Sequence, residues 1–563
     1  MQRRWINSVQ AATRLIGHCV SPLSAAFVHP SLILGVYILI GCWNLRQPGL
    51  EYDEVLFANA ALGHLDESFI AYELDLGGIR VPLMLMTYIG ALKAYIYGPI
   101  FELFPTTPLT VRLPVIIIGM ITLVVTYRLL IRLVDRRVAL SVCWLLATDP
   151  SFVFHTRIDF GPTVLMMFLK MTSLLAFVHF VKSGRIVWLA LGSFLVGLGV
   201  FDKANFLWYI VGLVTATLVV WRKGVSRYLT VRSLVVCGFF MFLGSFPFIY
   251  YNLATNGRTF QERVLLPQDI VGSAKARTGL LTESLSGSGV YKFVNGRKPS
   301  GFVEALTSVW PATITPWVLA CTVVFSCVAR GTLRSKPADQ LGVFFTLLFL
   351  AIVVQIYLTR LAVGWHHFMM LWPFHQIALC IFLLRSGSTR RSVVMGSADS
   401  IRSKIGRKLP VIALVSMTAS NLVVDSIYLR SFSTEGGRGF FSDAIYELAE
   451  YAMETQGRRF LLMDWGFNTQ LLLLSRGSIE KDEIFWRLET SDGDDMIMER
   501  LYKRAIQPNT FLVFHATPFI VHDRPRELFD KMLRRFALHT EIVKVFFHKR
   551  GDPVYLLVKV TAS

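Results

Sequence analysis

The sequence predicts a polytopic α-helical membrane protein of about eleven transmembrane helices, with juxtamembrane helices on its outer face and a C-terminal soluble α/β domain. Three observations carry this. Of the 563 residues, 53% are hydrophobic, only 17% are charged, and the mean hydropathy is +0.51, whereas ordinary soluble domains are about 25% charged. Apolar runs approaching the roughly 20 residues of a spanning helix recur along the chain. Much of the net charge of +19 lies in short loops between those runs, the positive-inside signature, which makes anionic lipid rather than nucleic acid the partner of the basic excess.

Arg3, Arg4 and Arg14 precede the first apolar run, Ser31–Trp43, and put the N-terminus inside. No small-residue cleavage site follows that run, so it reads as an uncleaved first span of an inner-membrane, multi-pass chain. Asn44–Arg80 is then outside. Runs at 83–104 and 112–131 come next, and Arg128, Arg132, Arg136 and Arg137 at the end of the second belong inside, so only one of the two crosses. Pro82–Phe104 contains Lys93, Glu102, Gly90, Gly98 and three tyrosines; it is expected to lie along or dip into the outer surface.

Further spans are predicted at 138–153, 163–181, 186–201, 206–221, 232–250, 310–329, 341–358, 368–384 and 410–428. Lys182, Arg185, WRKGVSR, RGTLRSK and RSGSTRRSVVMGSADSIRSKIGRK fall inside. DPSFVFHTRIDFGP, FDKAN, TRLAVGWHH and a long polar loop, Asn252–Ser308, fall outside. Glycine-rich stretches in that loop, VGSAKARTG and SLSGSG, predict mobility when it is empty. The membrane part is therefore 1–429, with outer loops at 44–111 and 252–309, and residues 430–563 form an extracytoplasmic domain. In that domain Ser442–Glu454 has the apolar face of an amphipathic helix. Phe460–Met463 and Phe511–Phe514 read as buried strands, and Glu541–His548 with Val554–Val560 as a hairpin about KRGDP. The seven cysteines form no C-x-x-C pair and avoid the long polar loops, so neither a disulfide framework nor a cysteine metal site is expected.

Several outer residues have the chemistry of a site. Asp53 and Glu54 open the helical stretch VLFANAALGH, and a helix N-terminus favours ionised carboxylates, the state a general base needs. Successive helical residues point about 100° apart, so the two acids cannot share one task; the bland alternative is that they are helix-start acids and nothing more. Asp159 lies in HTRIDFGP where the chain re-enters the membrane, a costly place for an acid; the bland alternative is an anchoring pair with Arg157. Lys203 in FDKAN and Arg112 at the start of VRLPVII suit a lipid phosphate or merely snorkel, and Asp202 beside Lys203 supports a simple local ion pair instead. His366 and His367 in GWHHFMMLWPF are donors to a ligand or part of an interfacial His-Trp belt. Acids and cations converging on one face suit deprotonation of a hydroxyl and stabilisation of a leaving phosphate. No nucleotide-binding glycine loop is present, so an activated donor on that face would be carried by a lipid.

In this order the motifs resemble those of the family 39 glycosyltransferases of the GT-C superfamily, which include the protein O-mannosyltransferases and the lipid A aminoarabinose transferase. The resemblance rests on the Asp53-Glu54 pair, VPLMLMTYIGALKAYIYG, VRLPVIIIGMITLVVTYRLL, RIDFGPTVLMMFL, GLGVFDKANFLW and GWHHFMMLWPF. It implies a GT-C fold and an inverting transfer from a polyprenyl-phosphate sugar to the hydroxyl of a glycan, lipid or protein. It implies Asp53 as base, Glu54 in support and Asp159 as the second acid. Lys203, with Arg112 and Arg157, would hold the lipid phosphate, with His366 and His367 at the same rim, and the long loop would order over the bound lipid. No cofactor is required by that chemistry; a divalent metal is compatible with it but has no dedicated ligand motif. Val81-Pro82 departs from the family's Pro-Pro, and no β-trefoil is recognisable, which leaves the acceptor open. Two rivals of other classes are a polyprenyl-lipid flippase or transporter, whose polar groups would sit at the midplane of inverted repeats, and a non-catalytic envelope assembly protein.

Overall fold

The computed structural model describes residues 29–64, 70–263, 267, 269–296, 312–328, 337–360, 364–389, 400–455, 457–488 and 493–562. The N-terminal arginines, 297–309 of the long loop and most of the segment RSGSTRRSVVMGSADS lie outside these residues.

The membrane part opens with α1 (Pro30–Cys42) and α2 (Tyr52–Ala61). A three-stranded antiparallel sheet follows, β1 (Tyr72–Leu76), β2 (Ile79–Met86) and β3 (Ile89–Gly90), whose first turn is built on Gly77 and Gly78 at positive φ. Then come α3 (Leu92–Leu103), α4 (Pro108–Leu133), α5 (Arg136–Ala147), α6 (Pro150–Ile158), α7 (Val164–Ser183), α8 (Ile186–Asp202), α9 (Phe206–Val225) and α10 (Val231–Ala254). Beyond them lie α11 (Arg258–Arg263), α12 (Ile270–Ser286), α13 (Ser288–Asn295), α14 (Thr315–Val328), α15 (Pro337–Leu358), α16 (Trp365–Phe368), α17 (Phe374–Thr389) and α18 (Ser400–Glu435).

Among the described residues six helices (α4, α7, α9, α10, α15 and α18) are long and apolar enough to cross a membrane. The count is eight if the bent pairs α5–α6 and α16–α17 are each one span. All eleven predicted spans fall on apolar helices or bent pairs, but α1 and α8, at 13 and 17 residues, are shorter than a straight span, and α14 borders residues outside the description. Lipid-facing side chains such as Ile117, Ile121, Val219, Val235 and Phe239 remain exposed on the bundle. Lys182 hydrogen-bonds the Arg132 carbonyl, and Tyr228 that of Val181 at 3.2 Å, so three basic turns gather at one end of the bundle.

Three local predictions are corrected. Pro82–Met86 is strand, not surface helix, because the Gly77–Gly78 turn folds β2 back on β1; only Leu92–Leu103 is helical. The expected outer loop DPSFVFHTRIDFGP is mostly α6, since Asp149 caps the backbone N–H of Phe152 at 3.0 Å and Pro150 starts the helix. The long outer segment, read as a loop, contains α12 and α13: Asp269 caps the first, Gly287 ends it at positive φ, and Gly289 lies so close to the Trp365 indole that a Cβ would approach to 2.4 Å.

The C-terminal part is an α/β unit. It contains α19 (Ala444–Glu454), β4 (Arg459–Leu462), α20 (Asn468–Leu474), β5 (Glu480–Glu483), α21 (Phe485–Leu488), α22 (Asp494–Ala505), β6 (Thr510–His515), α23 (Asp523–Arg535), β7 (Leu538–Phe547) and β8 (Pro553–Ala562). Its sheet order is β5-β4-β6-β8-β7, parallel among the first three and antiparallel thereafter. Its core is continuous with α2: Leu50, Val55, Phe57 and Ala58 share one apolar cluster with Ile445, Leu448, Phe467 and Val513. Tyr52 stacks on Trp465 at 4.9 Å, and Thr469 hydrogen-bonds the Tyr52 carbonyl at 3.0 Å. The acidic helix is thus clamped between the bundle and the α/β unit.

A buried acid–lysine site under helix α2

The start of α2 is held by a third acid that sequence reading passed over. The Glu51 carboxylate accepts the backbone N–H groups of Asp53 (2.9 Å) and Glu54 (3.0 Å), and Glu54 accepts that of Glu51 (3.2 Å), a reciprocal cap. Glu51 is therefore the capping residue, and the Asp53 side chain is not used in the cap. Glu54 turns inward to Arg112, which donates through Nε at 2.6 Å and Nη2 at 2.8 Å; the acid is 2% exposed and the arginine 0%. Arg112 also donates to the carbonyls of Leu45, Pro48 and Gly49. Arg157 does the same one turn away, at Ile40, Gly41, Asn44 and Gln47. Both guanidiniums thus hold the connection from α1 to α2 in place.

Asp53 is half-buried and forms no ion pair among the described residues. Burial pushes its carboxyl up from its ordinary 3.8 to about 6, while the charges of Lys203 and Lys93 pull it the other way. Those lysines define the rest of the site. Lys93, on α3, lies 2.6 Å from Asp159 and 4.0 Å above the Phe57 ring, with both charged partners about 1% exposed. Asp159 ends α6 in the left-handed region (φ 48°), which turns its Oδ1 back to accept from the Thr163 hydroxyl and the N–H groups of Thr163 and Val164. The alternative Arg157–Asp159 anchoring pair does not form among the described residues. Lys203 follows α8 directly; its backbone bridges Ile89, and Ala204 donates to the Tyr88 carbonyl at 3.0 Å. Its ammonium is 6.0 Å from the centre of the Tyr88 ring.

His367 lies 2.8 Å from the Asn205 amide, and the rings of His366 and His367 are 4.1 Å apart. Gly161, at positive φ, admits His366: a Cβ there would meet the imidazole at 2.9 Å. His155, Asp159 and Lys203 lie within each other's electrostatic reach, as do Asp202, Asp159, Lys93 and Lys203. The structure thus brings Asp53, Asp159 and Lys203 together, sets His366 and His367 beside them, and uses Glu54, Arg112 and Arg157 as supports. Lys93 and Asp202 were missed as site residues. The available signal for Lys93 was that it is the only cation in VPLMLMTYIGALKAYIYG. Asp464, in the α/β unit, accepts from His515 and from the N–H groups of Val521 and His522, a loop-holding role. Among the described residues no group of three or more His, Cys, Asp or Glu is arranged to hold a metal ion.

Residues 90–251 match the family model of dolichyl-phosphate-mannose-protein mannosyltransferases. The structure is similar to that of ArnT from Cupriavidus metallidurans in the apo state, with a TM-score of 0.56, 12% identity, and 96% of this chain and 98% of that chain covered. It is also similar to the same protein bound to undecaprenyl phosphate, with a TM-score of 0.53, 14% identity, and 95% and 98% covered. No curated protein matches. The shared fold and the matched segment bear out the resemblance to the GT-C superfamily read from the sequence.

Proposed function

We propose that this GT-C chain is an inverting membrane glycosyltransferase that moves a sugar from a polyprenyl-phosphate carrier to an acceptor hydroxyl on the extracytoplasmic face. The observation that carries the reading is half-buried Asp53 within electrostatic reach of Lys203 and Lys93, beside the buried Lys93–Asp159 pair. The undecaprenyl phosphate bound by the structural neighbour supports a polyprenyl carrier. The three basic turns at the end of the bundle remote from the site support an outward-facing site by the positive-inside rule. On this reading residues 1–429 are the transferase part and 430–563 the extracytoplasmic domain that braces α2.

Asp53 takes the acceptor proton. The acceptor oxygen then forms a bond to the anomeric carbon as the bond from that carbon to the phosphate oxygen breaks, with inversion. The bond electrons leave on the polyprenyl phosphate, and the proton passes from Asp53 to solvent. A base at about 6 is ionised near neutral pH yet basic enough to receive a proton. Lys203 and Lys93 face the charge that develops on the phosphate, and Asp159 holds Lys93 in place and orients the sugar or acceptor. Arg112 and Arg157 act on the site through the loop they clamp, and His366 and His367 line the donor side. In a transfer assay on a panel of polyprenyl-phosphate sugars, Asp53→Asn abolishes turnover and leaves thermal unfolding cooperative. Retained turnover in that variant refutes the assignment.

A further inference from the structure

Asp202 ends α8 inside the site, where burial, the helix terminus and a second acid oppose its charge and, among the described residues, only Lys93 and Lys203 favour it. It is 0% exposed, and neither carboxylate oxygen has a hydrogen-bond partner among the described residues. It lies at a helix C-terminus, where the helix dipole disfavours negative charge. A second acid, Asp159, acts on it along with Lys93 and Lys203. The backbone offers no relief. The Ile89–Lys203 bridge and the Ala204 N–H to Tyr88 carbonyl bond fix the next two residues. Gly90 packs so tightly on the end of α8 that a Cβ would meet the Phe201 carbonyl oxygen at 2.1 Å. A rigidly held carboxylate with two unmet acceptor oxygens is costly in the empty protein. It is matched by a ligand bearing two adjacent donors.

We propose that Asp202 is the sugar-binding residue of the site, its two oxygens accepting from neighbouring hydroxyls of the donor sugar while the lysines face the phosphate. This rests on the reading of the chain as a polyprenyl-phosphate-sugar transferase. It separates two parts of donor recognition, phosphate by Lys93 and Lys203 and sugar by Asp202.

The test compares binding of undecaprenyl phosphate with binding of hexosyl and pentosyl undecaprenyl phosphates to purified wild type, Asp202→Asn and Asp202→Ala. Wild type is expected to bind at least one glycosylated lipid more tightly than the bare phosphate. Both variants lose that preference by roughly 10- to 100-fold, the worth of hydrogen bonds to a charged group, and keep wild-type affinity for undecaprenyl phosphate. Without lipid, both variants melt at a higher temperature than wild type, because an unmet buried charge has gone; a merely structural Asp202 would give lower melting temperatures. Equal losses for the bare and glycosylated lipids, or no loss for either, overturn the sugar assignment. So does a wild type with no preference for any glycosylated lipid. Wild type that binds none of the lipids removes the transferase reading itself, and the sugar assignment with it.

Discussion

Lys93 and Asp159, 66 residues apart in sequence, meet at 2.6 Å in a setting where each is about 1% exposed. This contact joins the short helix α3 to the end of α6 and so fixes both walls of the site. Removing one member of such a pair leaves a buried charge uncompensated, at a cost of roughly 3–5 kcal/mol. Lys93→Met and Asp159→Leu are each expected to lower the thermal unfolding temperature and to abolish transfer. The double variant recovers stability but not transfer. A double variant as unstable as the sum of the singles contradicts the pairing.

The Glu54–Arg112 pair holds geometry rather than chemistry. Arg112→Lys keeps the charge but loses the two-pronged grip on Glu54 and most of the bonds to Leu45, Pro48 and Gly49. The expected result is a loss of several kcal/mol in stability and a fall in kcat through misplaced Asp53. A melting temperature equal to wild type contradicts this role.

The state of Asp53 sets the pH response. Transfer needs its carboxylate, so kcat/KM rises as pH increases through about 6 and is flat above it. The stability effect has the opposite sense. Its folded value lies above its ordinary 3.8, so ionisation opposes folding; the penalty is absent below 3.8 and complete above about 6. Asp53→Asn is therefore expected to melt higher than wild type at pH 8 and about the same at pH 4. Rate profiles and melting curves over that range check both halves.

Gly90 sets the distance between β3 and α8. Gly90→Ala places a methyl group 2.1 Å from the Phe201 carbonyl oxygen and is expected to cost roughly 1–3 kcal/mol. It also displaces Lys203, so donor affinity falls with it. Unchanged donor affinity with intact folding contradicts the hairpin's role in positioning Lys203.

Much of this was legible in the sequence because it is written locally. Apolar length predicts the helices, short continuous apolar runs predict β4 and β6, the turn KRGDP predicts the β7–β8 hairpin, and the alternation of spans puts Asp53, Asp159 and Lys203 on one face. What escaped depends on distant partners. Lys93 resembled an interfacial lysine until Asp159 was seen beside it. For Arg112 and Arg157, expected at the lipid phosphate, sequence does not reveal the backbone carbonyls folded around each guanidinium. The helix termination by Gly287 at positive φ and the close approach of Gly289 to Trp365 also depend on partners that the glycine-rich sequence does not reveal.

The most direct test of the transferase reading is the polyprenyl-linked lipid content of cells that lack this chain. If the chain consumes a polyprenyl-phosphate sugar through Asp53, one such lipid accumulates on deletion, returns to its normal level when the wild-type chain is restored, and stays elevated with Asp53→Asn. An unchanged lipid profile on deletion, or full correction by Asp53→Asn, contradicts it.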